Sequence, residues 1–458
     1  MNLRLKKWLK RITIFEKKLD NLPVGFNYGY LTGINGIVLE VTGLKLPIGS
    51  LCFIENFFDE DRNEIECEVI GFKEKKLLLM PVEEAIGIQS NARVFSKLIN
   101  NKMVNFTPFL PVGLELLGRV IDSLGRPLDG FDRLKVKDFL SLTFDKINPL
   151  DRFPITDVLD TGVRSINSLL TIGRGQRIGL FSSSGLGKSV LLGMIARYTK
   201  VDIIVIALIG ERSREVKDFI NNVLGSEGLS RSIVIAVPAD CSPLLQIKGA
   251  IYATRIAEYF RHNKYHVLLI MDSLTRYAMA HREISLSMGE LPATRGYPPS
   301  VFSKLSTLVE RAGNGKHGFG SITAFYTVLT EINSDNDPVA ESVRSFLDGH
   351  IVLSKIYADS GHYPAIDIES SISRLMPNLV NSNYYLQVCY FKRLVSVYQR
   401  NQELINVGAY VSGNNLILDQ AVKIWSKLEV FLKQDIKESH DYISSCESLK
   451  ELLSNINF

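Results

Sequence analysis

The sequence predicts an α/β protein in three parts: a small N-terminal β-barrel, a central doubly wound phosphate-loop domain and a C-terminal helical domain. Short β-rich runs punctuated by glycine fill residues 22–96, the texture of a small barrel or sandwich. The runs 203–209, 233–237, 267–271 and 322–326 are apolar apart from Thr323 and alternate with helix-length segments, as parallel strands buried on both faces do. After about residue 384 the strand-like runs stop and helical spacing takes over. At 458 residues the chain is too long for one compact core.

In chain order this gives a basic amphipathic segment at 1–21, the barrel at 22–96 and a linker leading into the core at 97–150. The phosphate-loop domain follows at 151–380 and the helices at 381–458. Residues 1–20 hold seven Lys/Arg and two acids, a net +5 that accounts for the whole chain's +4 and leaves the remainder near −1. Leu5, Trp8, Leu9, Ile12, Phe15 and Leu19 fall on one helical face. Such a segment docks a partner, lies on an anionic membrane or packs on its own domain. Residues 51–70 carry seven acids and one arginine, which opposes binding of nucleic acid by the barrel. No apolar run reaches membrane-spanning length and no signal-peptide pattern is present, so a cytoplasmic chain is expected. Five scattered cysteines without metal-ligand spacing fit a reducing compartment.

The chemistry begins at an apolar strand, Ile178 to Phe181, that runs into Ser182, Ser183, Ser184, Gly185, Leu186, Gly187, Lys188 and Ser189. An apolar helix pattern follows from Val190 to Ile195. Strand, small-residue loop, Lys-Ser and helix together make a phosphate-binding loop, whose backbone N–H groups curl round phosphate oxygens. Lys188 supplies a point charge and the Ser189 hydroxyl a ligand for Mg²⁺. Ser182 stands where the usual pattern has glycine. A second apolar strand ends on Asp272, placed to hold Mg²⁺ beside the loop; the other reading makes Asp272 the cap of a helix over 273–279. A third strand ends on Glu211 and Arg212. Glu211 can orient an attacking water and Arg212 can neutralise phosphate charge, or Glu211 pairs on the surface with Arg212 or Arg214.

Longer stretches carry a family resemblance. They include LLGRVIDSLGRPLDG ending at 130, LDTGVRSINSLLTIGRGQRIGL from 159, LIGERSREV from 208 and LLIMDSLTRYAMAHREI from 268. ATRGYPPSVFSKL from 293, GSITAFYTVL from 320, DGHIVLSK from 348 and HYPAIDIESSISRLMP from 362 continue the series. Over roughly residues 25–415 the chain resembles the flagellar and type III secretion export ATPases, relatives of the catalytic β subunit of rotary ATP synthases.

The resemblance implies a RecA-like core that hydrolyses ATP with Mg²⁺. It implies Lys188 and Ser189 as loop lysine and metal hydroxyl, Glu211 as catalytic carboxylate, Arg212 at the γ-phosphate, and Asp272 beside the metal. Arg276 becomes a further active-site arginine, Tyr363 an aromatic that stacks on adenine, and Arg374 a finger inserted into a neighbouring subunit's site. Ser182 and Ser183 replace Ala and Gly of the family, and Lys355 stands where Arg is common.

The partners implied are five further copies in a homo-hexamer, a stator-like negative regulator at the N-terminus, and a coiled-coil central stalk facing the acidic loop 331–338. Export chaperones with their substrates and an export gate at the inner membrane complete the set; nucleic acid is not among them. The implied activity is that of a motor for flagellar protein export, energising chaperone release. SLTRYAMA, ATRGYPPS and VPADCSP favour the flagellar branch over a virulence secretion system, which stands as the alternative. A rotary synthase subunit is disfavoured by the missing long acidic lever, and a ring-shaped RNA helicase by the acidic loop.

Overall fold

The computed structural model describes residues 28–56, 64–96, 98–99, 102–103, 109–132, 134–143, 146–330, 337–413 and 415–454, with Trp8 and Ile12. The remainder of the basic segment 1–21 lies outside the described residues.

The barrel closes in the order β1-β2-β5-β4-β3-β6, with β6 pairing back onto β1. Its strands are β1 (Tyr28–Asn35), β2 (Val38–Thr42), β3 (Leu51–Glu55), β4 (Glu64–Lys73), β5 (Lys76–Pro81) and β6 (Arg93–Phe95). Every second residue of β1 and β3 turns inward, so Leu31, Cys52, Ile54, Cys67, Val69, Leu79 and Val94 fill the interior. Cys52 and Cys67 face each other across β3 and β4. Burial pushes both thiols up, Cys52 to about 12.

The central sheet has nine strands, and its main path runs β7-β10-β9-β11-β12-β8-β13-β14. These are β7 (Val120–Ile121), β8 (Arg177–Ser182), β9 (Ile203–Ile209), β10 (Ser232–Val237), β11 (His266–Asp272), β12 (Ser321–Leu329), β13 (Gly349–Leu353) and β14 (Ile366–Ser373). Along that path only β14 runs antiparallel to its neighbour. All seven residues of β9 are buried, which is why its sequence shows no alternation.

Nine helices matter below: α1 (Arg164–Leu169), α2 (Lys188–Tyr198), α3 (Pro243–His262), α4 (Leu274–Ser287), α5 (Pro299–Val309), α6 (Pro338–Phe346), α7 (Ser382–Arg400), α8 (Leu416–Leu432) and α9 (Tyr442–Ser454). Val205, Ala207 and Ile209 pack with α3, α4 and α5 on one face of the sheet. Ile204, Ile206 and Leu208 pack with α2 and with α7, α8 and α9 on the other. The C-terminal helices thus share a core with the second face. Full burial of each such aliphatic side chain contributes about 1.5–3 kcal/mol. Of the acidic loop 331–338, residues 331–336 lie outside the described residues, and the Asp337 carboxylate caps α6 by accepting from the Val339 and Ala340 N–H groups.

Beneath α3 lies a buried ion pair. Arg311 donates to both Glu258 carboxylate oxygens at 2.8 Å, and Arg255 adds a contact at 3.2 Å. Removing one partner leaves a buried charge uncompensated, at a cost of about 3–5 kcal/mol. Glu258→Ala is therefore expected to lower the urea midpoint strongly while leaving the slope m unchanged. A midpoint equal to the parent's shows that water reaches the pair.

Candidate functional site

Three strand ends meet at one edge of the sheet. β8 finishes at Ser182, β9 is followed by Gly210 and Glu211, and β11 finishes at Asp272. The loop 183–187 returns the chain into α2, whose N-terminus has no side-chain cap, so its first N–H groups are free to receive an anion. Gly187 has a left-handed φ of 81°, and a Cβ there would stand 3.2 Å from the Tyr363 ring; only glycine lets the loop pass under that ring.

Lys188 connects the three strand ends. Its Nζ lies 2.6 Å from Asp272 Oδ1 and 3.3 Å from Glu211 Oε1. Thr327 from β12 donates to the same Asp272 oxygen at 2.6 Å. Burial alone depresses the Lys188 ammonium, but Asp272 and Glu211 outweigh it and hold it above its ordinary value. Burial lifts the Asp272 carboxyl, with Lys188 opposing. The N-cap of α4 is Ser273, whose hydroxyl accepts from the Arg276 N–H. Asp272 is thereby left to the loop and is not a helix cap.

Glu211 likewise turns inward to Lys188 and away from the neighbouring arginines. Arg212 points into solvent, its side chain 83% exposed and 3.7 Å from Glu215, so the structure does not bring it to the loop. Arg276 lies flat against Gly210, where a Cβ would come within 2.7 Å of its Cγ. Ser182 is buried, with its carbonyl accepting from the Thr330 N–H at 3.0 Å and its hydroxyl unpartnered among the described residues. Ser183 is half-buried, Ser184 and Gly185 are exposed, and the Leu186 side chain anchors the loop in the core. Ser189 is exposed in the first turn of α2.

Oxygen donors suit Mg²⁺, which characteristically takes one or two protein ligands and keeps water and phosphate oxygens for the rest. The Ser189 hydroxyl and Asp272 carboxylate fit that set. Among the described residues no group of three or more His, Cys, Asp or Glu could hold a metal ion.

A cavity of about 980 Å³ opens beside the loop, lined by Gly185, Gly187, Val190, Tyr363, Val430 and Gln434. Gln434 ties its walls together. Its backbone N–H donates to the Tyr363 carbonyl, its side-chain amide to the Gly162 carbonyl, and its side-chain oxygen accepts from the Arg164 N–H. Val430 and Gln434 were not found from the sequence. No local spacing marks them, and they arrive only because α8 packs on the second face of the sheet.

Arg374 sits elsewhere. It follows β14, and its N–H donates to the Asp348 carbonyl at 3.0 Å. The Asp348 carboxylate grips Arg177 at the start of β8. The phosphate loop leaves the other end of β8, six residues on, a span of about 20 Å. Arg374 and Lys188 therefore occupy opposite edges of one sheet.

The family model described as the ATP synthase alpha/beta family, nucleotide-binding domain, matches residues 162–373. The model of the T3SS EscN ATPase C-terminal domain matches residues 380–451. A flagellum-specific ATP synthase of Buchnera aphidicola subsp. Acyrthosiphon pisum is 61% identical over 452 residues, covering 99% of this chain and 97% of that protein. The flagellum-specific ATP synthase of Salmonella typhimurium is 57% identical, with 98% of each chain covered. A type 3 secretion system ATPase of Xanthomonas euvesicatoria is 41% identical, with 97% of each covered. Among solved structures, the assembled ATPase EscN of the enteropathogenic E. coli type III secretion system superposes with a TM-score of 0.85 at 39% identity. That match covers 93% of this chain and 100% of EscN. Agreement of this extent, end to end along the chain, means that it belongs to the flagellum-specific and type III secretion export ATPases, ATP-hydrolysing relatives of the catalytic subunits of rotary ATP synthases.

Proposed function

We propose that this ATPase is the motor of a bacterial flagellar protein-export apparatus and uses hydrolysis to release export substrates from chaperones and pass them to the export gate. The observation that supports the flagellar reading is that the flagellum-specific relatives of Buchnera, Salmonella and Pseudomonas aeruginosa reach 51–61% identity, while the Xanthomonas secretion ATPase, at 41%, stands level with the flagellum-specific relatives of Bacillus subtilis and Treponema pallidum at 44% and 42%.

Hydrolysis is assigned to residues as follows. The phosphates of ATP rest on the first N–H groups of α2, and the adenine enters the cavity beside Tyr363. Lys188 turns from Asp272 and Glu211 toward the phosphate oxygens, which releases the Glu211 carboxylate to orient a water. Ser189 and Asp272 would hold Mg²⁺, which would supply positive charge against the phosphates. Arg276 braces the Gly210–Glu211 strand end, and Arg212 folds in from solvent onto the γ-phosphate.

One group is missing from this set, a cation on the far side of the γ-phosphate. Arg374 supplies it from a second copy, since its own loop is a strand's length away. A surface that offers a finger at one edge and a site at the other joins copies head to tail, and a closed homo-hexamer follows the assembled relative. A solved EscN structure includes its central stalk EscO; a coiled-coil stalk is assigned here as a partner of this chain too. The basic segment 1–21 is assigned to a stator-like regulator. No described helix is long and apolar enough to cross a membrane, so attachment at the inner membrane is assigned to that regulator and the export gate.

Supplied to a flagellated bacterium that lacks its own export ATPase, the chain is expected to restore secretion of hook and filament subunits, and Lys188→Ala is expected not to. Rescue of an injectisome-deficient strain alone assigns it to virulence secretion instead.

A further inference from the structure

Strand β14 carries Arg374 on its end and is not regular. His350 pairs with Ile372 and Val352 with Asp367, so the four residues 368–371 stand opposite Ile351 alone. Bulges re-aim the side chains that follow them and recur beside active sites. This one is tightly built. The Asp367 carboxylate accepts from the Glu369 and Ser370 N–H groups at 3.0 and 3.2 Å and from the Ser370 hydroxyl at 2.7 Å. His350 Nε2 donates to the Ser370 carbonyl at 3.0 Å, and the Val352 N–H donates to the Ser371 hydroxyl at 3.0 Å.

A helix from the C-terminal part grips the same bulge. Lys392 donates to the Ser371 carbonyl at 2.9 Å, the Ser396 hydroxyl to Glu369 Oε1 at 2.9 Å, and Arg400 to that same oxygen. Positions 392, 396 and 400 are successive turns on one face of α7. Burial pushes the Lys392 ammonium down to about 8, with Cys389 and Asp367 pulling the other way, so the contact is made in a desolvated seam. Behind it, Tyr398 of α7 stacks on Trp425 of α8 with ring centroids 3.7 Å apart. α8 in turn leads to Val430 and Gln434 at the base cavity.

We propose that Lys392, Ser396 and Arg400 are positioning residues that hold the 368–371 bulge and so aim Arg374 into the neighbouring subunit's site, making α7 the link between the C-terminal helices and hydrolysis next door. The proposal rests on the reading of Arg374 as a finger acting in trans. Nothing in it requires the three side chains to touch ATP.

Lys392→Met is the direct test, with Lys392→Arg as the conservative variant, all in rings whose assembly is checked by sedimentation. A finger acts on charge that develops in the transition state. The loss in Lys392→Met therefore falls on kcat, by about tenfold with KM for ATP within about twofold, and Lys392→Arg recovers most of it. A merely structural defect does not produce the second readout. Mixed with Lys188→Ala chains, which carry an intact finger, Lys392→Met chains regain turnover; mixed with Arg374→Ala chains they do not. Wild-type kcat, or a defect that Lys188→Ala chains fail to relieve, overturns the proposal. Should Lys392→Met not fold, Glu369→Gln on the partly exposed side of the bulge decides by the same mixing pattern. The control pairs Arg374→Ala with Lys188→Ala. If that pair shows no recovery in rings proven to be mixed, the finger reading itself falls, whatever Lys392 does.

Discussion

Lys188→Ala abolishes ATP turnover, while Glu211→Gln keeps nucleotide binding and loses hydrolysis. The two differ because the residues meet different states of the reaction. Lys188 faces phosphate charge before and during bond breaking, and its removal does more than delete one cation. Asp272 and Glu211, at 2.6 and 3.3 Å from its Nζ, are left as two carboxylates turned toward an anionic substrate, so affinity falls together with rate. Glu211→Gln leaves Lys188 and Asp272 paired, keeps the size of the side chain and removes only its basicity. The loss expected for a general base is about 10²–10⁴-fold in kcat. Fluorescent-nucleotide titration beside a phosphate-release assay separates the two variants. Turnover by Glu211→Gln within about threefold of the parent means that another group orients the water.

Arg374→Ala chains and Lys188→Ala chains, each inactive alone, regain turnover when mixed. The basis is the length of β8, which sets the finger and the loop at opposite edges of the sheet. In a mixed ring some interfaces pair an intact loop with an intact finger, and those interfaces fire. Loss of a transition-state cation costs about 10³–10⁵-fold, so restored activity stands far above the background of either parent. Specific activity of the unmutated protein rises steeply with concentration for the same reason. If the mixture stays inactive while mass spectrometry shows mixed rings, Arg374 does not act in trans.

The meeting of Lys188, Glu211 and Asp272 was legible in the sequence because all three are tied to strand ends. An apolar run that stops at Asp272, another at Glu211 and a third that breaks into small residues before Lys188 each declare where a side chain leaves the sheet. Their convergence follows from the parallel register alone. β1 shows no apolar/polar alternation in its sequence, because Tyr28 and Tyr30 turn outward and glycines interrupt the pattern. β13 and β14 were not singled out: polar residues from Asp367 to Ser371 serve the bulge and break the alternation. The reach of Arg374 came from family resemblance, since no spacing along the chain says which edge of a sheet a residue occupies. Gln434 and Val430 were invisible for a related reason. They belong to the site through packing of α8 on the second face, and packing between distant segments leaves no local periodicity.

The Gln434 bridge makes the cavity beside the phosphate loop a joint between two bodies, with Gly162, Arg164 and Tyr363 on one side and the end of α8 on the other. A ligand that fills such a joint favours the docked arrangement of both sides, so nucleotide and helix docking are linked quantities. Linkage is reciprocal: whatever factor nucleotide adds to the affinity of a protein bound on the C-terminal helices, that protein returns to the affinity for nucleotide. Any partner that bound those helices from outside would thus shift the ATP concentration at which a subunit loads, acting as an effector of a site it never touches.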